Sequence, residues 1–468
     1  MAKIDTVVII GLGVMGNNLA LNFLNKKFRV IGYDIDSYKR NQITHNQYFF
    51  INDLNDLKAY NNISLAVFLM LPADKISDET IATIFPLLHP ESVIIDGGNS
   101  HFKDSIRRVN AFYKIHYNYL GVGISGGAQG ALQGPSMMIG GNETQYNKIK
   151  HLFEAIGASF NGTSCARYVG ASGAGHFVKM IHNGIEYALM QSIAEVYALL
   201  KTSRAFTLEE IAELFKTWQD SELDSYLLRI SAKIISEKEQ NNSVYVLDQI
   251  KDQAKHKGTG KWVSKFAFDA GVSISGINAA LESRFLSSDK RLRTKINKVY
   301  NSEYQLPLNN FESKDILIQW SKQLLEFNQI LSFAQGIALI QRGSEDFSLS
   351  VKLTEVLTAW MNGCIIEGKF VSQLHKVYTE QPSLEHLLLE NSIAQRIEKI
   401  QKNSRKLVAL AISNQIPLNV SSNNISYFDY LKTLHSSANL IQAQRDFFGQ
   451  HGFERIDQDG EFHLNTLF

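Results

Sequence analysis

A glycine-rich turn close behind the first apolar run constrains the fold of this chain more than any other feature. Residues 6–10 read as a buried strand and residues 17–25 as a helix. The turn between them consists of Gly11, Leu12, Gly13, Val14, Met15 and Gly16. In such a unit the glycines permit a tight turn, let a pyrophosphate approach the backbone and allow close helix–strand packing. The helix N-terminus favours the anion, so we interpret the turn as a dinucleotide site rather than a purely structural one.

The second predicted strand ends beside an aspartate that bears on the choice of cofactor. Asp34 lies about 20 residues beyond the glycine turn, where a carboxylate accepts hydrogen bonds from ribose hydroxyls and repels a 2′-phosphate. This position favours NAD. Lys39 and Arg40 follow closely and weaken the exclusion of NADP. The alternative interpretation is that Asp34 only forms a turn with Ile35 and Asp36.

Predicted strands and helices divide the chain into two unlike parts. Near-continuous apolar runs, typical of buried parallel strands, occupy residues 6–10, 29–33, 65–69 and 92–96. With a helix predicted at 74–88, their alternation predicts a doubly wound α/β domain with a parallel sheet. From about Gly175 helical patterns take over, including a nearly all-apolar stretch at 316–341 that indicates a buried helix.

These patterns predict three parts. We expect a Rossmann-like domain at 1–175, an all-α domain at 176–435 and a C-terminal tail at 436–468. The tail has a shorter period and is rich in glycine, histidine and aromatic residues. Terminal segments fray unless they are docked, so we expect this one to lie on a surface such as another subunit.

Composition excludes several classes of partner. The 468 residues carry 47 basic and 46 acidic side chains, so no global field recruits nucleic acid or an anionic membrane. The apolar run at 65–71 is far shorter than the about 20 residues that span a bilayer. There is no signal-peptide pattern, and Cys165 and Cys364 form neither a disulfide framework nor a metal-ligand cluster. We expect a cytoplasmic protein without a bound metal.

Four polar side chains recur at helical spacing in the most informative segment. Lys179, His182, Asn183 and Glu186 stand at i, i+3, i+4 and i+7, so a helix projects them from one face. An isolated stripe of this kind is more often solvated surface. Its neighbours here are mostly apolar, so we expect a buried helix whose lysine has a lowered pKa and serves as a base. A glycine-rich junction at 170–175 precedes it, and clefts often form at such junctions.

Through these motifs and others, the sequence resembles the decarboxylating 6-phosphogluconate dehydrogenases, within the wider β-hydroxyacid dehydrogenases. The glycine turn matches, and so does the predicted helix around Lys179, called the lysine helix. Further matching segments occupy residues 94–100, 123–127, 134–136, 222–226, 257–262 and 438–446. The last three are specific to this enzyme rather than to its shorter relatives. The resemblance implies the fold described above, an obligate homodimer and a tail that completes the partner's active site.

The resemblance also implies a reaction and a role for each site residue. The family converts 6-phospho-D-gluconate to D-ribulose 5-phosphate and carbon dioxide, with NADP as its default cofactor. Lys179 then takes the proton of the C3 hydroxyl and Glu186 protonates the enediol. The implied substrate contacts are Asn99, Ser125, Gly126, Gly127, His182 and Asn183, with Tyr187, Lys257, Thr259, Arg284, Arg445 and His451 at the phosphate end. The implied cofactor contacts are the glycine turn, Asp34, Ile35, Asp36, Leu71 and Asn99.

Three departures from the family pattern bear on the cofactor and the pocket. Where the family commonly has Asn-Arg-Thr, this chain has Asp34-Ile35-Asp36 and lacks the arginine that holds a 2′-phosphate. We therefore predict a preference for NAD. Pro72 replaces a lysine near the cofactor and removes a positive charge. Finally, 128–129 replaces an acidic pair with Ala-Gln, and 361–362 replaces Arg-Gly with Met-Asn; the sequence does not say what these two changes do.

Two other functions stay open on the sequence alone. One is dehydrogenation of another β-hydroxy acid that lacks a phosphate. Arg284, Lys257 and Arg445 argue against it, because a neutral substrate leaves their charges unpaired. The other is a non-catalytic cofactor-binding homologue, against which the intact Lys179 and Glu186 argue.

Overall fold

The first part of the chain builds a mixed eight-stranded sheet, seen in a computed structural model that describes residues 3–72, 75–115, 117–240, 243–255, 258–300 and 313–464. The strands, including a separate β8–β9 hairpin, are β1 Thr6–Ile10, β2 Arg29–Tyr33, β3 Tyr48–Phe50, β4 Ala66–Leu69, β5 Val93–Asp96, β6 Asn118–Ser125, β7 Ser136–Gly141, β8 Ser159–Phe160, β9 Thr163–Ser164 and β10 Ala166–Gly170. The strand order in the sheet is β10-β7-β6-β5-β4-β1-β2-β3.

Helices cover the sheet and form nearly all of the regular structure described after it. They are α1 Val14–Asn25, α2 Lys75–Ile84, α3 Phe102–Lys114, α4 Gly127–Gln133, α5 Glu143–Ile156, α6 Ala174–Thr202, α7 Leu208–Thr217, α8 Tyr226–Ser236, α9 Val246–Gln249, α10 Thr259–Ala270, α11 Ser275–Ser288, α12 Lys290–Tyr300, α13 Lys314–Asp346, α14 Leu353–Trp360, α15 Lys369–Glu380, α16 Asn391–Ser413, α17 Asn419–Leu431 and α18 Ala438–Gly449. Short 3₁₀ helices lie at Ser37–Gln42, Leu54–Tyr60, Phe85–Leu87, Trp218–Asp220 and Leu387–Leu389. No helix in the described ranges is long and apolar enough to cross a membrane.

The predicted fold class is confirmed, and several of its details differ. β1 and β2 have the predicted bounds, β4 and β5 each begin one residue late, and α13 contains the predicted buried helix. The helix predicted at 74–88 ends at Ile84 and gives way to a 3₁₀ turn. Pro86 explains this end, because proline disfavours α-helical geometry in the residue before it. The domain boundaries at 175 and 435 stay predictions.

The sequence predicted a parallel sheet, but the sheet is mixed. β7 runs antiparallel to β6, and β10 runs parallel to β7. The link between Ser125 and Ser136 is shorter than the dozen or more residues that a parallel crossover requires. The chain therefore returns beside β6 in the opposite direction.

The start of α6 packs on the sheet with almost nothing between the two backbones. A Cβ atom on Gly175 would lie 2.2 Å from the carbonyl oxygen of Gly121 and 2.5 Å from that of Met138. A Cβ atom on Gly123 would lie 2.3 Å from the Cβ of Lys179. Glycine is therefore required on both sides of the contact, and the contact fixes Lys179 against β6.

A buried polar chain fixes α11, the helix that carries Arg284. Gln335 Oε1 accepts from the N–H of Gly276 at 2.9 Å, and its Nε2 donates to Asn424 Oδ1 at 2.8 Å. Further along α11, Asn419 Nδ2 donates to Ser283 Oγ at 2.8 Å. α13 thus holds the start of α11, and α17 also contacts it more than two turns later.

The tail is more regular than its composition suggested. It begins with α18 and continues to an isolated bridge between Phe453 and Phe462. Asp446, which is buried, accepts from the backbone N–H groups of Gly452 and Leu464 and contacts His463. Large apolar side chains of this segment face outward, among them Leu440, Ile441, Phe447, Phe448 and Ile456.

We predict that Gly175→Ala destabilises the protein strongly. The new methyl group meets two backbone oxygens that cannot move without separating α6 from the sheet, and overpacking of this kind costs about 1–3 kcal/mol or more. Gly130→Ala is the matched control, because its Cβ would find only ordinary contacts at 3.8 Å and 3.9 Å. Urea unfolding of both variants measures the difference. Equal stability of the two variants would contradict the proposed role of the contact.

Candidate active site

The glycine turn forms a cradle at the N-terminus of α1. Gly11 has a φ of +96°, which favours glycine, and its N–H donates to the carbonyl oxygen of Tyr33 at 2.8 Å. A Cβ on Gly16 would lie 1.9 Å from the Gly11 oxygen, whereas one on Gly13 would meet no atom within 4 Å. The space beside Gly13 is therefore free for a group approaching the helix N-terminus, which suits a pyrophosphate.

Asp34 holds this cradle in place from the end of β2. Its Oδ2 accepts from the N–H of Leu12 at 2.6 Å, and its Oδ1 accepts from the N–H of Asp36 at 2.9 Å. Asp36 in turn accepts from the N–H of Tyr38 at 3.0 Å and begins a 3₁₀ turn. The side chain of Ile35 is 93% exposed. A carboxylate oxygen has more than one lone pair, so Asp34 can still accept from a ribose hydroxyl.

Leu71 lies between the glycine turn and the loop at residues 97–101, which follows β5 and is called the Asn99 loop. A Cβ on Gly11 would lie 3.1 Å from Leu71 Cδ2, and one on Gly98 would lie 2.7 Å from the Leu71 oxygen. The two loops at the carboxyl ends of β1 and β5 are therefore neighbours, which is where doubly wound sheets bind ligands. Pro72 follows Leu71, and its carbonyl oxygen accepts from Ser77 Oγ at 3.3 Å.

A buried aspartate organises the Asn99 loop, and the sequence reasoning gave it no role. Asp96 accepts from the N–H of Gly98 at 3.1 Å and from Ser100 Oγ at 2.7 Å. It also accepts from Tyr119 OH at 2.9 Å and pairs with Arg108 Nη1 at 2.8 Å, and both charged side chains are almost fully buried. A carboxylate that ends an otherwise apolar strand was the signal available in the sequence. The side chain of Asn99 itself is exposed.

Lys179 occupies the buried face of α6, as its apolar neighbours suggested. Its Nζ lies 3.3 Å from His182 Nδ1. Burial lowers the pKa of Lys179, while the charge of Glu186 works in the opposite direction. A lysine with a lowered pKa offers a larger neutral fraction near neutral pH and is a usable base.

His182 links the lysine to the sheet and to α10. Its Nε2 lies 3.2 Å from Ser125 Oγ at the end of β6, and its Nδ1 lies 3.2 Å from Asn183 Oδ1. Asn183 Nδ2 donates to Thr259 Oγ1 at 3.2 Å. Burial, together with the charge of Lys179, keeps the pKa of His182 well below its usual value. The ring is therefore neutral beside the lysine.

Glu186 completes the polar face of α6. One carboxylate oxygen lies 3.7 Å from His182 Nδ1. Burial raises the pKa of Glu186, and the charges of Lys179 and Arg284 partly oppose that shift. A carboxyl group with a raised pKa can donate a proton near neutral pH. The face thus joins a candidate base and a candidate acid.

An arginine lies over the next residue of the same helix. The guanidinium of Arg284 is 3.7 Å from the centre of the Tyr187 ring and donates to the carbonyl oxygen of Lys255 at 3.0 Å. Thr259 begins α10 and connects to the site through Asn183. Lys257, predicted to join this group, lies outside the described residues.

The Gly126-Gly127 turn joins α4 to a loop of the helical part. Both glycines have positive φ angles, +118° and +63°. A Cβ on Gly126 would lie 2.5 Å from the carbonyl oxygen of Gly363, whereas one on Gly127 would meet nothing within 4 Å. The departures at 128–129 and at 361–362 flank this single contact, a relation that the sequence did not reveal.

Arg445 and His451 have their contacts within the tail. Arg445 Nη1 donates to Gln442 Oε1 at 3.1 Å, and the His451 ring lies 6.2 Å from that of Phe448. Both side chains are exposed. The structure of one chain therefore does not bring Arg445 and His451 to the polar face of α6 that carries Lys179. In the part of the chain that is described, no group of three or more His, Cys, Asp or Glu side chains is arranged to hold a metal ion.

Comparison with known proteins matches the chain along nearly its whole length. Residues 6–170 match the NAD binding domain of 6-phosphogluconate dehydrogenase, and residues 175–466 match the C-terminal domain of 6-phosphogluconate dehydrogenase. The NADP(+)-dependent, decarboxylating 6-phosphogluconate dehydrogenase of Bacillus subtilis is 36% identical, and the decarboxylating enzyme of Staphylococcus aureus strain N315 is 38% identical. Each alignment covers 98% of both chains.

A solved structure shares the same architecture. Plasmodium falciparum 6-phosphogluconate dehydrogenase, studied in its apo form and with its cofactor NADP+ or its substrate 6-phosphogluconate, is 32% identical with a TM-score of 0.93. The match covers 99% of this chain and 100% of that one. The chain therefore belongs to the 6-phosphogluconate dehydrogenase family.

Proposed function

We propose that this protein is an NAD(P)-dependent oxidoreductase that converts 6-phospho-D-gluconate to D-ribulose 5-phosphate and carbon dioxide, a step of the pentose phosphate pathway. One observation carries the proposal. A buried lysine with a lowered pKa and a largely buried glutamate with a raised pKa contact one neutral histidine, on a helix packed against a dinucleotide-binding sheet. Family membership over nearly the whole chain supports the same reaction.

The first step is oxidation at C3 of the substrate. Neutral Lys179 takes the proton of the C3 hydroxyl while the hydrogen on C3 leaves as hydride, which gives a 3-keto acid and an ammonium group. The bound dinucleotide supplies the hydride acceptor. His182, neutral and held by Ser125, keeps the lysine in position without adding a competing charge.

The second step is loss of carbon dioxide. The C1–C2 bond breaks, its electron pair moves to form a C2–C3 double bond, and the charge on the C3 oxygen is met by the ammonium of Lys179. Lys179 gives its proton to this oxygen, so the product is an enediol and the lysine is neutral again. Glu186 then protonates the carbon that lost the carboxylate while Lys179 takes the C3 hydroxyl proton, which gives the ketone. Transfer of one proton from Lys179 to Glu186 restores the starting protonation states. No metal ion takes part in these proton transfers.

We propose that the substrate lies along α6 with its phosphate towards Arg284. Asn99, Ser125, Gly126, Gly127, His182 and Asn183 contact the sugar acid, and Tyr187, Lys257, Thr259 and Arg284 contact the phosphate. A phosphate dianion suits a forked guanidinium. Arg284 is already fixed by the Tyr187 ring and by α11, so it needs little reorganisation to receive the anion.

We further propose a cytoplasmic homodimer in which each tail completes the other active site. The outward-facing apolar side chains of the tail support this arrangement, because a solvated surface gains nothing from them. Arg445 and His451 then meet the phosphate of the partner's substrate. The cytoplasm fits two free, buried cysteines.

The direct test is to add 6-phosphogluconate with NAD or NADP and to follow reduced nicotinamide and carbon dioxide together. We expect both products in equal amounts. Reduction without carbon dioxide would point to a simple β-hydroxy acid dehydrogenase, and neither signal from folded protein would point to a non-catalytic homologue.

Lys179→Met should abolish turnover and leave dinucleotide binding intact, because it removes only the base. Lys201→Met is the matched control. It changes the same residue type at the far end of α6, where Lys201 pairs with Asp248 on the surface. Retained turnover in Lys179→Met would remove the lysine from the mechanism.

We predict a higher kcat/KM with NAD than with NADP. Asp34 repels a 2′-phosphate, and the exposed Ile35 offers it no donor. The double variant Ile35→Arg, Asp36→Thr should raise kcat/KM for NADP at least about tenfold, the worth of one charge-assisted contact. Ile412→Arg, at an exposed isoleucine of α16, is the control. A strong NADP advantage in the unaltered protein would contradict the prediction.

Shared sites predict complementation between inactive variants. Arg445→Ala loses the partner's phosphate contact and Lys179→Met loses the base, so each homodimer is inactive. Mixed dimers carry one site with both lesions and one intact site. Random reassociation should therefore restore about a quarter of the activity. Lys179→Met mixed with Glu186→Gln restores none, because both changes lie on one helix. Failure of the first pair to complement would contradict the shared site.

A further inference from the structure

Gly98 directly precedes the exposed Asn99, and both of its backbone polar groups, the N–H and the C=O, form hydrogen bonds. Its N–H donates to Asp96 Oδ1 at 3.1 Å, and its carbonyl oxygen lies 3.1 Å from His176 Nε2. Asp96 ends β5 of the sheet, whereas His176 lies in the first turn of α6. The Asn99 loop is therefore fastened to the sheet on one side and to the lysine helix on the other.

Only one neutral tautomer of His176 satisfies both of its contacts. A carbonyl oxygen only accepts, so Nε2 carries the hydrogen and donates to Gly98. Nδ1 then accepts from the Ser105 hydroxyl at 2.6 Å. Burial lowers the pKa of His176, which favours this neutral form. Gly121 closes the remaining space, because a Cβ there would lie 2.9 Å from Nδ1.

We propose that His176 is a positioning residue that sets the distance between Asn99, beside the cofactor, and Lys179, the base. His176 precedes Lys179 by three residues, nearly one helical turn, so the two side chains move together with α6. The reaction removes a hydride from C3 and a proton from its hydroxyl. Both acceptors must therefore be correctly placed around one carbon atom, and the Gly98–His176 hydrogen bond is a direct link between their two supports.

This inference rests on the proposed function and adds to it a buried residue that the chemical steps do not use. If His176 only stabilised the fold, its loss would lower stability and leave the hydride step unchanged. If it positions the loop, its loss slows hydride transfer selectively. A misplacement of about 1 Å costs as much as about 100-fold in rate.

The experiment uses 6-phosphogluconate carrying deuterium at C3. His176→Leu removes both hydrogen bonds, and His176→Gln keeps an amide N–H that can reach Gly98. For His176→Leu we expect kcat to fall about 10–100-fold, substrate KM to change less than about threefold, and the deuterium isotope effect on kcat to rise above that of the unaltered protein. His176→Gln should recover most of kcat. Ser105→Ala loosens only Nδ1, so it gives a smaller change in the same direction and serves if His176→Leu does not fold.

His386→Leu is the matched control. His386 is a partly buried histidine, bound to Tyr427 at 3.1 Å within the helical part, and burial likewise lowers its pKa. The His386→Leu substitution should lower the melting temperature of the protein without changing the deuterium isotope effect. Unchanged kcat and isotope effect in folded His176→Leu, or in Ser105→Ala if His176→Leu does not fold, would overturn the positioning role alone. No turnover of 6-phosphogluconate by the unaltered protein would overturn the proposed function, and the positioning role with it.

Discussion

Direct contact between two stretches of backbone is the constraint on which the rest of this structure depends. Gly121 and Gly140 of the sheet meet Gly175 of α6 so closely that a methyl group on any of them would overlap a neighbouring atom. This contact brings the first turns of α6 to the sheet beside β6, the strand that ends at Ser125. The lysine, the histidine and the serine then converge because of where a helix begins, without any long side chain reaching across a gap.

Burial gives that geometry its chemistry. Lys179 and Glu186 are both shifted towards their uncharged forms by loss of water, although the charge of each opposes the shift of the other. The proposed base and the proposed acid, about two helical turns apart, can thus coexist in usable protonation states. The neutral His182 faces both Lys179 and Glu186 with its Nδ1, while its Nε2 contacts Ser125.

Much of the fold was readable from the sequence because it depends on local signals. Apolar runs predicted β1 and β2 to the residue, and helical spacing predicted the shared face of Lys179, His182 and Glu186. The direction of β7 was not readable in the same way, because it follows from the length of a connection between two strands. The buried pair of Asp96 and Arg108 was also missed, since partners on a strand and a separate helix leave no periodic trace. Arg445 and His451 show a further limit, because one chain alone does not bring them to the site.

Asp34 has a consequence for how cofactor preference can change in the course of evolution. Its carboxylate fastens the glycine turn through the N–H of Leu12, and in the proposed cofactor site it also repels a 2′-phosphate. A lineage that replaced it to accept NADP would loosen the cradle in the same mutational step. Substitution is therefore easier at the neighbouring Ile35, whose side chain faces solvent. A change between the two cofactor specificities would then proceed through residues that do not hold the glycine turn in place.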